Sequence, residues 1–238
     1  MSSPRRLDQL LAALGYGSRR DAQALVKAGR VRLSGVPASR ADLRVQPAEV
    51  TVDGQPLEAP DGLLVLLHKP LGLTCSHNPA EGDLIYDLLP PRWLQRSPAL
   101  TSVGRLDKDT SGLLLLTDRG DWVHRWTSPR THLPKIYEAT LDRDMPADLP
   151  ALFAAGTLQL RNEPHPCQPA QLEILAPRHA RLTLTEGRYH QVRRMFASQG
   201  LHVETLHRTH FGHLSLGDLP PGQYRVLPSA DAVTSPPL

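Results

Sequence analysis

Two stretches of the chain concentrate side chains able to do acid–base or nucleophilic chemistry. The first, SVGRLDKDTSGLLLLT over 102–117, sets Arg105, Asp107 and Asp109 in a loop bracketed by Gly104 and Gly112. A carboxylate held there can serve as nucleophile or general base. By residue type and position alone, however, Asp107 and Asp109 read as turn-forming residues before they read as catalysts. The second stretch, EGRYHQVRRMFASQG over 186–200, gathers Arg188, His190, Gln191, Arg193 and Arg194 around Tyr189. Helical spacing over Tyr189–Gln199 puts Val192, Met195 and Phe196 on a buried stripe and leaves Arg193 beside it, able to reach inward. The other charges of that stretch fit a solvated basic face against phosphates.

Both stretches sit in a strand-rich region that begins at Leu63. Leu63–Leu67 is an apolar run of buried-strand length, stopped by His68-Lys69-Pro70, and Leu113–Thr117 is another. Further strands are expected at Thr101–Val103, Ile136–Leu141, Gln171–Leu175, Arg181–Thr185, Val203–Phe211 and Tyr224–Leu227, with helices at Arg119–Trp126 and Ala147–Ala155. Strands outnumber helices and do not alternate with them, so the pattern predicts an α+β fold on a mostly antiparallel sheet. The Pro-rich stretch QPLEAPDG precedes it, which predicts one domain over 1–55, a linker over 56–62, a large domain over 63–230 and a flexible tail over 231–238.

The first domain reads as a small basic module. Leu7, Leu10, Leu11 and Leu14 form one helical stripe that ends at Gly15 and Gly17. Ser18 offers an N-cap for a second helix over Arg19–Ala28, and Val31 and Leu33 lead into a Ser34-Gly35 hairpin turn. Residues 1–44 carry nine Lys+Arg against three Asp, a balance of +6 in a chain whose total is +3. A compact basic segment on a near-neutral body points to a polyanion. Arg5, Arg6, Ser18, Arg19, Arg20, Lys27, Arg30 and Arg32 are the candidate contacts, in a chain where 23 of the 27 basic residues are arginine, the better bidentate phosphate partner.

Composition narrows the function classes. No apolar run approaches the roughly 20 residues of a membrane span, and no signal segment opens the chain, so a cytoplasmic protein is expected. Cys75 and Cys167 are far apart and in no CxxC pair, which offers neither a disulfide framework nor a thiolate metal site. His207 and His210 have ligand-like spacing but read as structural or RNA-contacting side chains, so no metal is expected.

The string RRLDQLLAALGYGSRRDAQALVKAGRVRLSG resembles the S4 RNA-binding domain, a likeness that covers residues 5–54. The large domain resembles bacterial pseudouridine synthases of the RsuA branch (the RsuA/RluB/RluE/RluF group). The likeness rests on HKPLGLTCS at 68–76, GRLDKDTSGLLLLT at 104–117, DWVHRWTSPRTHLPKIYEATL at 121–141, EGRYHQVRRMFASQGLHVETLHR at 186–208 and LPPGQYRVL at 219–227. His68 stands where that branch has Asn before Lys-Pro, and Leu73 where an aromatic is common.

The resemblance implies isomerisation of a uridine to pseudouridine in ribosomal RNA, with no cofactor. It implies Asp107 as the essential carboxylate, attacking ribose C1′ or uracil C6 or removing the C2′ proton. Asp107 must carry its charge when it acts, which burial opposes; Arg193 would supply the ion pair. Tyr137 would stack on the target uracil, and Arg105 would fill the gap left by a flipped base or hold its backbone. Arg188, Arg193, Arg194 and Arg208, with Arg125 and Arg130, would line the RNA path. The resemblance, the compact length and the lack of a long basic tail favour 16S rRNA, free or within a partly assembled 30S particle, and a monomeric enzyme. The alternatives are the same chemistry on 23S rRNA and a non-catalytic, RNA-binding ribosome-assembly factor.

Overall fold

The computed structural model describes residues 3–228 and Val233. The N-terminal module follows from its leucine stripe. Helix α1 (Leu7–Ala13) and helix α2 (Arg19–Lys27) cover a four-stranded antiparallel sheet, and Leu7, Leu10, Leu11 and Leu14 are buried with Ala22, Val26, Val31 and Val50. Strand β1 (Arg5–Arg6) precedes α1; β2 (Val31–Leu33), β3 (Val36–Pro37), β4 (Arg44–Val45), β5 (Val50–Val52) and β6 (Gln55–Pro56) follow α2. The sheet order is β3-β2-β5-β6, with β1 paired separately to β4. Ser18 caps α2 reciprocally: its hydroxyl accepts from the Asp21 amide, and the Asp21 carboxylate accepts from the Ser18 amide. Ser34 and Gly35 both have positive φ, as the tight hairpin between β2 and β3 requires.

The large domain is a nine-stranded sheet. Its strands are β7 (Leu64–Lys69), β8 (Thr101–Ser102), β9 (Ser111–Thr117), β10 (Lys135–Leu141), β11 (Gln171–Ala176), β12 (His179–Leu184), β13 (Val203–Phe211), β14 (Leu214–Ser215) and β15 (Tyr224–Val226). The order is β11-β12-β10-β13-β9-β7-β15, with β14 on β13 and β8 on β9; β13–β9 is the parallel pair and the rest are antiparallel. Helices α3 (Gly120–Thr127), α4 (Leu149–Ala154) and α5 (Gln191–Ala197) flank it. This is the expected α+β architecture.

Strands β7 and β9 are apolar at successive positions because both faces are covered. Leu63, Val65, Leu67, Leu114 and Leu116 join one core, and Leu64, Leu66, Leu113 and Leu115 the other. Strand β7 departs from expectation by running on through His68 and Lys69. The Lys69 ammonium is wholly buried and donates to the carbonyls of Pro70, Asp107 and Thr110, so a charge that reads as a strand stop is satisfied inside the fold. Helix α5 starts two residues later than the spacing suggests, because His190 takes a left-handed backbone (φ 48°) before it.

The stretch expected to be a plain linker is bonded to both bodies. Pro56 pairs in β6 and Leu57 is buried in the N-terminal core. The Glu58 and Ala59 carbonyls accept from Arg96, and the Glu58 carboxylate accepts from Arg92 and from the Trp93 indole. Arg96 in turn pairs with buried Asp118 at 2.7 Å, whose other oxygen accepts from the Leu63 amide. Across the same seam the Ser97 amide donates to the Ala13 carbonyl, the Arg92 guanidinium lies 4.8 Å from the Tyr16 ring centroid, and Gly15 sits so close to the Arg92 carbonyl that a Cβ there would collide with it. Of the expected tail over 231–238, only Val233 lies within the described residues, and it is buried with its carbonyl accepting from the His213 amide.

Candidate active site

The loop from Val103 to Thr110 is pinned from below. Leu106 is buried and its carbonyl accepts from the Cys75 thiol; Lys69 holds the Asp107 and Thr110 carbonyls; the Gly72 amide donates to the Lys108 carbonyl. At its far end Gly112 (φ 114°) lets β9 approach β13 so closely that a Cβ would collide with the Arg208 backbone. With the main chain thus fixed, the Asp107 side chain stays half-buried at the edge of a cleft of about 750 Å³. Arg105, Tyr137 and Arg208 also line it, together with Trp126 and Phe211.

The Asp107 carboxylate faces His190, with Oδ1 3.2 Å from Nε2. His190 is stacked on Tyr189 at 3.9 Å between centroids, and Tyr189 is 76% exposed at the cleft rim. Tyr137, on β10, contacts hydrophobic cores on either side, and its hydroxyl accepts from Arg208 Nη1 at 3.4 Å. A small adjoining cavity of about 70 Å³ is lined by Asp107, Tyr137 and Arg193 together. The three side chains singled out in the sequence therefore converge on one place.

Their pairing differs from the expected one. Arg193 does not bond Asp107: its Nη2 forms an ion pair with the Asp109 carboxylate (2.9 Å) and donates to the Asp109 carbonyl (3.0 Å), and its Nη1 donates to the Val203 carbonyl (2.8 Å). Arg193 thus staples the Asp107 loop to the start of β13 through the neighbouring carboxylate.

Several expected RNA contacts are committed inside the fold. Arg188 binds Glu186 and the His165 and Pro166 carbonyls, and Arg194 binds Glu163 and the Tyr189 and Arg161 carbonyls. Both hold the segment ahead of α5 through these pairings, and Arg188 also lines the cleft. Ser18 is consumed by its cap. Arg6 and Arg19 both pair with Asp8, which is 0% exposed and whose carboxyl the Arg6 hydrogen bond holds at about 2. Arg30 is bidentate to Asp53, Arg5 pairs with Asp61, and Arg32 donates to the Gly35 carbonyl. Among the described residues Arg20, Lys27 and Arg105 make no such pair.

Lys135 and His190 line the cleft and Lys69 lies buried beneath its loop, and sequence reasoning assigns none of the three a role in the site. Lys135 had a signal, since it lies two positions before Tyr137 on a strand and so shares its face. The pairing of His190 with Asp107 had none, because the two are brought together only by the sheet.

Residues 63–198 match the family described as RNA pseudouridylate synthase, and residues 5–50 match the S4 domain. The chain is 42% identical over 227 residues to the ribosomal small subunit pseudouridine synthase A of Escherichia coli (strain K12), covering 93% of this chain and 96% of that protein. It is 40% identical to the protein of the same name from Pasteurella multocida (strain Pm70), over 96% of this chain and 98% of that one. A solved structure described as a pseudouridylate synthase superposes with a TM-score of 0.67 at 36% identity, over 97% of this chain and 98% of that chain. The chain belongs to the RNA pseudouridylate synthase family.

Proposed function

We propose that this enzyme converts a uridine of 16S ribosomal RNA to pseudouridine, with Asp107 as the essential carboxylate. The observation that carries the reading is Asp107 itself: a half-buried carboxylate on a main chain fixed by Lys69, facing a cleft shared with Tyr137. Likeness along nearly the whole chain to proteins named for the small ribosomal subunit supports the choice of RNA.

A uridine within folded RNA leaves its stack before its ring can enter such a cleft, at a cost of a few kcal/mol. Tyr137 stacks on the uracil, and exposed Arg105 occupies the gap in the RNA or holds its backbone. Asp107 then acts at ribose C1′, at uracil C6 or on the C2′ proton. In each route the N1–C1′ bond breaks, a C5–C1′ bond forms, the C5 proton is lost to a base and N1 is reprotonated, so nothing is gained or lost overall. Arg193, through Asp109, holds the loop that carries Asp107. Arg20 and Lys27 give the S4 module its phosphate contacts. The substrate is 16S rRNA alone or within a partly assembled 30S particle.

The test is a pseudouridine map of 16S and 23S rRNA from cells lacking the gene, complemented with wild type or Asp107→Asn. One 16S site is expected to vanish on deletion and to return with wild type only. Loss of a 23S site would overturn the substrate, and an unchanged map would overturn the activity in favour of an assembly role.

A further inference from the structure

Besides exposed Arg105 and Lys108, the cleft contains two cations drawn into its wall, half-buried Lys135 and buried Arg208, that no carboxylate pairs with among the described residues. Lys135 on β10 and Arg208 on β13 both line it, brought to one wall by the register shift opposite Tyr137. Arg208 is only 3% exposed. Its Nε donates to the Leu113 carbonyl and its Nη1 to the Tyr137 hydroxyl, while Nη2 is buried without a partner. The Lys135 ammonium makes no ion pair among the described residues and lies 5.6 Å from the Phe211 ring centroid. Burial, and then repulsion from Arg208, lower it to about 8, with Glu186 opposing.

Other half-buried or buried arginines of this chain are matched: Arg96 by Asp118, Arg188 and Arg194 by Glu163, Arg193 by Asp109. An unmatched buried charge costs stability, so a site that keeps two of them awaits a negative charge from outside the protein. Trp126 of α3 and Phe211 of β13 line the same cleft, a lining suited to a planar ring rather than to a sugar–phosphate chain.

We propose that Lys135 and Arg208 stabilise the negative charge that develops on the uracil ring during the isomerisation, an inference that rests on the pseudouridine-forming reading above. When the N1–C1′ bond breaks, its electron pair leaves on uracil and spreads over N1, O2 and O4. Addition of a carboxylate to C6 would likewise place the charge on O4. Either way the charge is absent from the ground-state base, so donors preset to receive it accelerate the step instead of merely binding substrate. Arg208 also fixes the Tyr137 hydroxyl, which keeps the stacking ring and the charge-receiving wall in one frame.

The experiment uses the full chain with a 16S rRNA substrate that wild type modifies, compared with the same RNA carrying 5-fluorouridine, whose ring is the better leaving group. Because fluorine replaces the C5 proton there, the single-turnover rate is read on both RNAs as loss of the N1-linked nucleoside. Lys135→Gln should lower the single-turnover rate about 100-fold while changing RNA affinity by no more than about twofold. Lys135→Arg should restore most of the rate. The melting temperature of Lys135→Gln should match or exceed wild type, because an unpaired charge has been removed. The loss should shrink on the fluorinated RNA.

The charges that act on Lys135 are Arg208 and Glu186, and the cleft it lines also carries Arg105, Asp107, Lys108, Asp109, Tyr137, Arg188, Tyr189 and His190. The kcat/KM profile, which reports the free enzyme, should fall above pH about 8 in wild type and not in Lys135→Arg. Weakened RNA binding with an unchanged single-turnover rate would overturn the inference in favour of a phosphate contact. An equal loss on both RNAs would overturn it too. If wild type modifies the RNA and Lys135→Gln does so equally well, the inference fails while the proposed function stands. A wild type inactive on any rRNA would bring down both.

Discussion

Removing the Asp118 carboxylate tests how the large domain is held to the segment that leads into it. One oxygen of Asp118 accepts from the Leu63 amide at 2.8 Å, and the other accepts from Arg96 Nε at 2.7 Å. Both side chains are nearly solvent-free, at 1% for Arg96 and 9% for Asp118. In Asp118→Ala the guanidinium keeps the Glu58 and Ala59 carbonyls but loses its counter-charge, and the start of β7 loses an acceptor. Breaking a buried pair from one side costs about 3–5 kcal/mol, and the two retained carbonyls place the expected value near the lower end. Arg96→Met with Asp118→Leu should recover part of that loss, because neither charge is then left unmatched. Urea unfolding followed by tryptophan fluorescence reads the right body, since Trp93, Trp122 and Trp126 all lie beyond residue 62. With an unchanged dependence on urea concentration, the midpoint should shift down in proportion. A single-variant loss below about 1 kcal/mol, or a double variant worse than the single one, would refute the reasoning.

Three further outcomes follow from the same geometry. Lys69→Met removes the donor that holds the Pro70, Asp107 and Thr110 carbonyls, and should lower single-turnover pseudouridine formation by about tenfold or more through misplacement of Asp107; an unchanged rate would show that the loop keeps its shape without it. Gly112→Ala should cost about 3 kcal/mol or more in urea unfolding, because φ is 114° there and the added Cβ meets the Arg208 backbone. Asp8 has its carboxyl lowered from 3.8 to about 2 in the folded module, so it contributes about 2 kcal/mol above pH about 4 that is lost as pH falls through about 2. Asp8→Asn should therefore lack that acid-dependent part of the stability in a circular dichroism titration, and an identical acid profile would remove the assignment.

Local pattern carried most of the fold. The Leu7, Leu10, Leu11, Leu14 stripe, the Ser34-Gly35 turn and the apolar runs Leu63–Leu67 and Leu113–Thr117 are visible because each is set by neighbours in sequence. What stayed hidden depends on partners far along the chain. Lys69 reads as a strand terminator because its acceptors lie 38 and 41 residues further on. The partner of Arg193 could not be read either: Asp107 and Asp109 are two residues apart, and only the docking of α5 decides which of them it meets. Arg188 and Arg194 look like surface charge until Glu163 and Glu186 are brought beneath them. A string of charges shows how much of each sign is present, but not which of them is already balanced.

The seam around Glu58 turns two recognition elements into a calliper. With Pro56 paired in the N-terminal sheet and the next residues clasped by Arg92 and Arg96, the basic face of α2 and the mouth of the cleft are held a set distance apart. A rigid joint makes binding at the second point nearly free once the first is engaged, but only for an RNA whose own shape spans that gap. Under the function proposed above, a uridine in the right local sequence but at the wrong separation from RNA bound at α2 gains nothing from the second contact. Site selection then becomes a measurement of RNA architecture, and the choice of one uridine among many needs few contacts to the bases around it.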